Sequence, residues 1–293
     1  MRFAKGHGTE NDFVILPDPD AGVTLTPGLV ARLCDRRAGL GGDGLLRVVR
    51  TAALAGAAGP DAAGAEWFMD YWNGDGSLAE MCGNGIRVFA RYLLDHGLAV
   101  GPEIAVATRA GVRLVRAEPD GAITVDMGTP QVLGAGHAVL AGQPLTGLAV
   151  SMGNPHLACL VAGPLDGFSL SAPPGLDAAE FPAGANLELV RLAGAGHVQM
   201  LVYERGSGPT RSCGTGAVAA AVAAALAGQD PAPGTAPPPG HWTVDLPGGR
   251  LRVTLDGRSS FLSGPAVIVA AGELSRSWLS GPVAGAVHSS PTL

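Results

Sequence analysis

Along the chain, short stretches that read as strands give way twice to a longer apolar stretch, and both interruptions open the same way. The first, E-M-C-G-N-G-I-R-V-F-A-R-Y-L-L, runs over residues 80–94, and its apolar spacing predicts a helix. The second, S-C-G-T-G-A-V-A-A-A-V-A-A-A-L-A-G, runs over 212–228. Each reads Cys-Gly-x-Gly, then helix-compatible residues, then Gly. Upstream of each lies a strand-like segment followed by a glycine-bearing loop: E-W-F-M-D-Y-W with N-G-D-G-S, and H-V-Q-M-L-V-Y-E with R-G-S-G-P.

The correspondence extends further in the same order. Cys82 and Cys213 stand 131 positions apart. Downstream, E-I-A-V-A-T-R-A-G-V-R-L-V resembles W-T-V-D-L-P-G-G-R-L-R-V, and each is followed by an Asp-Gly turn, at 120–121 and 256–257. Asn11 in the early G-T-E-N-D-F faces Asn154 in G-N-P-H. Chance similarity in a Gly/Ala-rich chain explains one such match, not an ordered series, and a period this long means a duplicated domain. The expected architecture is therefore α/β (α+β): two pseudo-symmetric domains, each with short strands around one apolar helix that starts at its cysteine. The expected boundary falls near 127–131. The Ala/Gly-rich stretch at 51–65 and the Pro-rich stretch at 229–240 read as surface insertions, and the residues after about 280 as a disordered tail.

Composition narrows the chemistry. With 293 residues and 47% hydrophobic content, the chain can bury two cores. A net charge of −6 argues against a nucleic-acid partner, and no apolar run reaches membrane-spanning length. The N-terminus lacks the apolar core of a signal peptide, so a soluble cytoplasmic protein is expected. The 19 basic residues include a single lysine, Lys5, without a phosphate-binding signature around it. That disfavours a pyridoxal enzyme, which needs a lysine Schiff base, and no dinucleotide or H-E-x-x-H motif is present. No cofactor and no metal are expected.

The four cysteines are widely spaced, with no C-x-x-C. Cys34 and Cys159 lie in apolar stretches and read as core residues. Cys82 and Cys213 differ. A thiol at a helix mouth feels the positive end of the dipole and free N–H groups, which favour thiolate, and the glycine beside it leaves those groups open to a carboxylate. Two such mouths on paired domains can face one ligand across a cleft. Two thiols on opposite faces of a stereocentre invert it: one takes the α-proton while the other delivers a proton from the far side.

At this point the motifs resemble those of the diaminopimelate epimerase family. M-C-G-N-G-I-R and S-C-G-T-G-A are similar to its two cysteine motifs. K-G-H-G-T-E-N-D-F, C-D-R-R-A-G-L-G-G-D-G, D-Y-W-N-G-D-G-S, M-G-N-P-H and V-Y-E-R-G-S-G match in order and spacing up to about residue 280. The resemblance implies cofactor-independent conversion of LL-diaminopimelate to the meso form, in lysine and peptidoglycan-precursor synthesis. It implies two domains, 1–127 and 128–264, each a curved, mostly antiparallel sheet around a central helix. Residues 265–281 would pack back on the first domain and 282–293 would form the tail. The active site would lie in the interdomain cleft, and the partners would be a small amino-acid substrate and a second copy in a homodimer.

By the same resemblance Cys82 and Cys213 would be the acid/base thiols, assisted by His156 and Glu204. The α-carboxylate would meet the backbone N–H groups of Gly83, Asn84, Gly214 and Thr215. The distal amino-acid end would be held by Asn11, Asn73, Asn154, Asn186, Glu204 and Arg205. Arg87 and Arg91 read as structural, and Asp43 and Asp75 as loop residues. Gly44 departs from relatives that carry Gln there, which touches one distal contact. Two other readings stay open. A proline or hydroxyproline racemase also pairs cysteines, but tends to carry His at the position of Asn84 and lacks the Y-E-R-G box. A thiol redox switch or an amino-acid-binding protein would use the same thiols without turnover.

Overall fold

A computed structural model describes residues 1–54, 56, 62 and 64–281. The segment 282–293, expected to be a disordered tail, lies outside the described residues.

The chain is mostly strand. In its first half come β1 (Arg2–Gly8), β2 (Asn11–Pro17), β3 (Gly44–Arg50), β4 (Trp67–Asn73), β5 (Glu103–Thr108), β6 (Gly111–Ala117) and β7 (Ile123–Gly128). The second half supplies β8 (Gln131–Leu140), β9 (Gln143–Ser151), β10 (Pro155–Leu160), β11 (Gly175–Leu176), β12 (Asn186–Gly194), β13 (His197–Glu204) and β14 (Gly208–Thr210). It continues with β15 (Gly240–Leu246), β16 (Gly249–Leu255), β17 (Ser260–Gly264) and β18 (Val267–Glu273). The helices are α1 (Pro27–Cys34), α2 (Gly83–Asp95), α3 (Gly214–Ala225) and the short α4 (Arg276–Leu279). Among the described residues no helix is long and apolar enough to cross a membrane.

The pairing order repeats. β1–β2 is antiparallel, β2–β3 parallel, β3–β4 antiparallel, β4–β5 parallel, and β5–β6–β7 antiparallel. The second half follows the same sequence of senses through β9–β10, β10–β12, β12–β13, β13–β15 and β15–β16–β17. β8 flanks β9 as β18 flanks β1, both antiparallel, so a strand from the end of the chain completes the first half. The halves join where β7 pairs with β17.

Each run of strands curls around one helix, because a strand face left apolar has to be covered. α2 packs against β1–β7 and β18, and α3 against β9, β10, β12, β13 and β15–β17. α3 is apolar on every side, with Ala217–Val222 all fully buried, as befits a helix enclosed all round. Its alanines let the surrounding strands approach closely. α2 carries larger side chains, including fully buried Ile86, Phe89 and Leu93.

Cys34 and Cys159 sit in separate apolar clusters. The stretch 51–65 is not wholly superficial, as the sequence suggested: Ala62 and Ala65 are buried beside Val49, Phe68 and Ala107. Small apolar side chains there fill a gap over the sheet that a polar insertion would leave open.

Candidate active site

The two cysteines occupy equivalent positions. Cys82 is the N-cap of α2 and Cys213 that of α3, both with extended backbone. Each thiol sulfur takes the capping role usually played by a side-chain oxygen: Cys82 Sγ accepts from the Gly85 N–H at 3.3 Å, and Cys213 Sγ from the Gly216 N–H at 3.4 Å. The helices meet mouth to mouth. A Cβ on Gly214 would stand 3.3 Å from the Gly83 Cα and 3.4 Å from the Asn84 Oδ1, so the glycines permit the approach. All four cysteines are free.

Most of the expected site residues gather around these mouths. Asn11 opens β2, and its Oδ1 accepts from Cys82 Sγ at 3.7 Å and from Asn84 Nδ2 at 3.2 Å. Asn154 immediately precedes β10; its Nδ2 donates to Thr215 Oγ1 at 3.4 Å, and its Oδ1 lies 3.2 Å from His156 Nε2. Thr215 Oγ1 is 3.5 Å from Cys213 Sγ. Asn186 opens β12, contacts the His156 ring at 3.4 Å and accepts the Arg205 backbone N–H at 2.8 Å. Glu204 ends β13, accepts from the Thr210 hydroxyl and faces the Cys213 thiol.

Two residues stand apart. Asn73 spends its side-chain amide on Ser77 in its own turn, and Arg205 donates to the Ala183 carbonyl with no carboxylate within 4 Å among the described residues. Gly44 has no room for a side chain: a Cβ would lie 2.6 Å from the Trp72 carbonyl oxygen and 2.7 Å from the Tyr71 ring. A cavity of about 640 Å³ opens elsewhere, between β5–β7 and β15–β17, and no candidate residue borders it.

Sequence reasoning missed Glu188. Its carboxylate lies 2.6 Å from His156 Nδ1, with both side chains fully buried. The signal was a lone charge inside the apolar strand N-L-E-L-V. It also passed over Thr9 and Ser212, buried neighbours whose hydroxyls lie 2.7 Å apart beside the mouths.

A sequence model of diaminopimelate epimerase matches residues 3–133 and 148–269. Over 277 residues the chain is 58% identical to a diaminopimelate epimerase from Thermobifida fusca, covering 94% of this chain and 98% of that protein. It is 54% identical to one from Streptomyces coelicolor, at 97% and 99% coverage. The chain belongs to the diaminopimelate epimerase family. Its fold is shared more widely. A probable proline racemase from Agrobacterium radiobacter superposes with a TM-score of 0.63 at 13% identity, covering 94% of this chain and 93% of that one. A PhzF-family phenazine biosynthesis protein from Bacillus anthracis reaches 0.65 at 16% identity, covering 94% and 99%.

In this member of the diaminopimelate epimerase family the thiols are harder to ionise than the helix dipoles alone suggest. Burial pushes Cys82 up to about 11; the Gly85 N–H and the Arg87 guanidinium act downward, and Glu204 upward. Burial lifts Cys213 well above the ordinary thiol range, reinforced by the carboxylates of Glu204 and Glu188. Glu204 is itself raised, chiefly by burial. The expected effect of the helix mouth is present, but desolvation outweighs it because the two mouths shield each other from water.

Proposed function

We infer that this chain is a diaminopimelate epimerase that interconverts the LL and meso forms with two thiols and no cofactor. The observation that carries the reading is the pair of cysteines capping two helices whose mouths abut, in a chain of this family. One thiolate removes the α-proton from a stereocentre while the opposite thiol donates its proton to the other face. One C–H bond breaks, another forms, and thiol and thiolate exchange roles. The carbanion charge spreads into the α-carboxylate, where the N–H groups of Gly83, Asn84, Gly214 and Thr215 receive it.

His156 and Glu204 assist proton transfer at the thiols, Glu204 from its place facing Cys213. Asn11, Asn73, Asn154, Asn186, Glu204 and Arg205 hold the distal amino-acid end. The guanidinium of Arg205, free of carboxylates among the described residues, suits the distal carboxylate. Cys213 is only 5% exposed, so substrate entry needs the two halves to part. We take 1–127 with 265–281 as one domain and 128–264 as the other, a division supported by the pairing of β18 with β1. We further propose a cytoplasmic homodimer, for which the exposed Val267 and Val269 on β18 offer an apolar contact.

Incubation in deuterated water with LL-diaminopimelate and, separately, with L-proline tests the reading. α-Deuterium is expected in diaminopimelate; incorporation in proline alone would overturn it.

A further inference from the structure

Arg87 is fully buried, and no carboxylate lies within 4 Å of it among the described residues. An unpaired buried charge is costly to desolvate even after relaxation. The location adds to the cost, because the N-termini of α2 and α3 converge there and bring their own positive ends. Arg87 and the mouth of α2 thus bring positive charge together with no carboxylate paired to the guanidinium, whereas Glu188 stands against the first turn of α3.

The slot is built for this side chain. Helical side chains lean toward the N-terminus, so Arg87 reaches back over the first turn of α2. Its Nη1 donates to the Gly83 carbonyl at 3.2 Å and to Asn84 Oδ1 at 3.0 Å, and its Nη2 to Thr9 Oγ1 at 3.3 Å. Glycines flank the guanidinium: a Cβ on Gly8 would lie 3.0 Å, and one on Gly264 3.5 Å, from Nη2. The network then crosses to the other mouth. Asn84 Nδ2 donates to the carbonyl and hydroxyl oxygens of Ser212, each at 3.2 Å, and Thr9 Oγ1 lies 2.7 Å from the same hydroxyl. Ser212 immediately precedes Cys213. Nε of Arg87 has no partner.

The fold itself does not ask for an arginine here. The residue five positions past Cys213, equivalent to Arg87, is Val218, and it is equally buried.

We propose that Arg87 is a positioning residue of the epimerase reaction: it locks Gly83 and Asn84 against Ser212 and supplies the buried positive charge that the anionic substrate and its carbanion balance. It acts through the Gly83 and Asn84 groups that face the substrate, without touching it. This rests on the epimerase reading. Burial lowers Arg87 to about 10, so it stays cationic at neutral pH. The groups facing the nearer thiol, Cys82, are Arg87 on its own helix, Glu204 from β13 and Tyr71 from β4.

The test compares the full-length wild type with Arg87→Met and Arg87→Lys, measuring kcat, KM and the pH profile with LL-diaminopimelate. A buried cation beside a thiolate lowers its pKa, so Arg87→Met should move the ascending limb of kcat/KM up by roughly one pH unit. It should also cut kcat/KM by about 100-fold, mostly in kcat, the scale of losing one preorganised transition-state contact. Arg87→Lys keeps the charge but cannot span three acceptors: the limb should stay in place while kcat falls about tenfold, with KM little changed. A merely structural role would lower melting temperature without moving the limb. An unmoved limb with near-normal kcat in folded Arg87→Met overturns the proposal. If that variant does not fold, wild-type kcat in Arg87→Lys overturns it instead, and a tenfold loss upholds it. A wild type that exchanges no α-proton sinks the epimerase reading itself, whereas an active wild type matched by both variants sinks only the role of Arg87.

Discussion

The two halves share a scaffold but not a chemistry. At equivalent points of the strand register, Phe13 in β2 corresponds to His156 in β10, and Leu46 in β3 to Glu188 in β12. Asn73, paired with Gly44, corresponds to Glu204, which lies opposite Asn186. Conversely, Arg87 in α2 corresponds to Val218 in α3. The first half thus places a lone cation behind its thiol, and the second a histidine and two carboxylates. Duplication delivered two matched thiol mouths, and divergence charged them oppositely. The Arg87 guanidinium favours a thiolate at Cys82 and the carboxylates of Glu204 and Glu188 oppose one at Cys213, while burial raises both thiols. Two thiols that trade a proton in both directions titrate as a pair, and burial raises both.

Removing either thiol breaks the comparison most severely. Cys82→Ser and Cys213→Ser should each lower epimerisation by at least ~10³-fold, since a serine hydroxyl does not ionise in reach of neutral pH and each turnover needs both faces. Polarimetry together with α-deuterium incorporation measures the loss; appreciable turnover in either variant would contradict the two-thiol mechanism.

Glu188→Leu makes the second half resemble the first at that point. It leaves His156 Nδ1 without its 2.6 Å partner in a dry site. Urea unfolding should show a destabilisation of roughly 1–3 kcal/mol, the scale of an orphaned buried polar group. Arg205→Ala should act on binding alone, with KM rising about tenfold or more and kcat nearly preserved, because the distal end is held equally in ground and transition states. A normal KM would remove Arg205 from the distal site.

Differential alkylation sharpens the contrast between the thiols. Iodoacetamide at mildly alkaline pH should label Cys82 ahead of Cys213, read by peptide mass spectrometry; the reverse order would contradict the charge asymmetry. Stability against pH gives the last readout. Folded Cys82 holds its proton to about 11 and Cys34 and Cys159 to about 12, above the unfolded thiol value of 9.0. Between those values the folded state binds more protons than the unfolded one. Stability from these groups is therefore full below about 9 and is lost as pH rises toward 11–12, visible as falling urea midpoints.

Much of this was legible without coordinates. The Cys-Gly-x-Gly openings announced α2 and α3, and the ordered matches announced the repeated strand pairing. What stayed hidden was non-local. Glu188 looked like a stray charge in an apolar strand until the parallel pairing of β10 with β12 set it against His156. Arg87 read as an ordinary helical cation, because nothing in its neighbours along the chain says that both flanking strands leave a slot at Gly8 and Gly264. The thiol pKa values moved opposite to the dipole argument because that argument counts only the helix on which each thiol sits.

The sequence by itself determined the doubled scaffold, the helix starts and the identity of the two thiols, since these follow from local periodicity, capping and repeat order. The tertiary structure alone decided that the mouths abut at Gly83 and Gly214, that the Cys213 thiol is buried there, and that one side is cationic and the other acidic. Desolvation and charge pairing depend on what approaches from distant parts of the chain, and only the closed arrangement of the two halves specifies those neighbours.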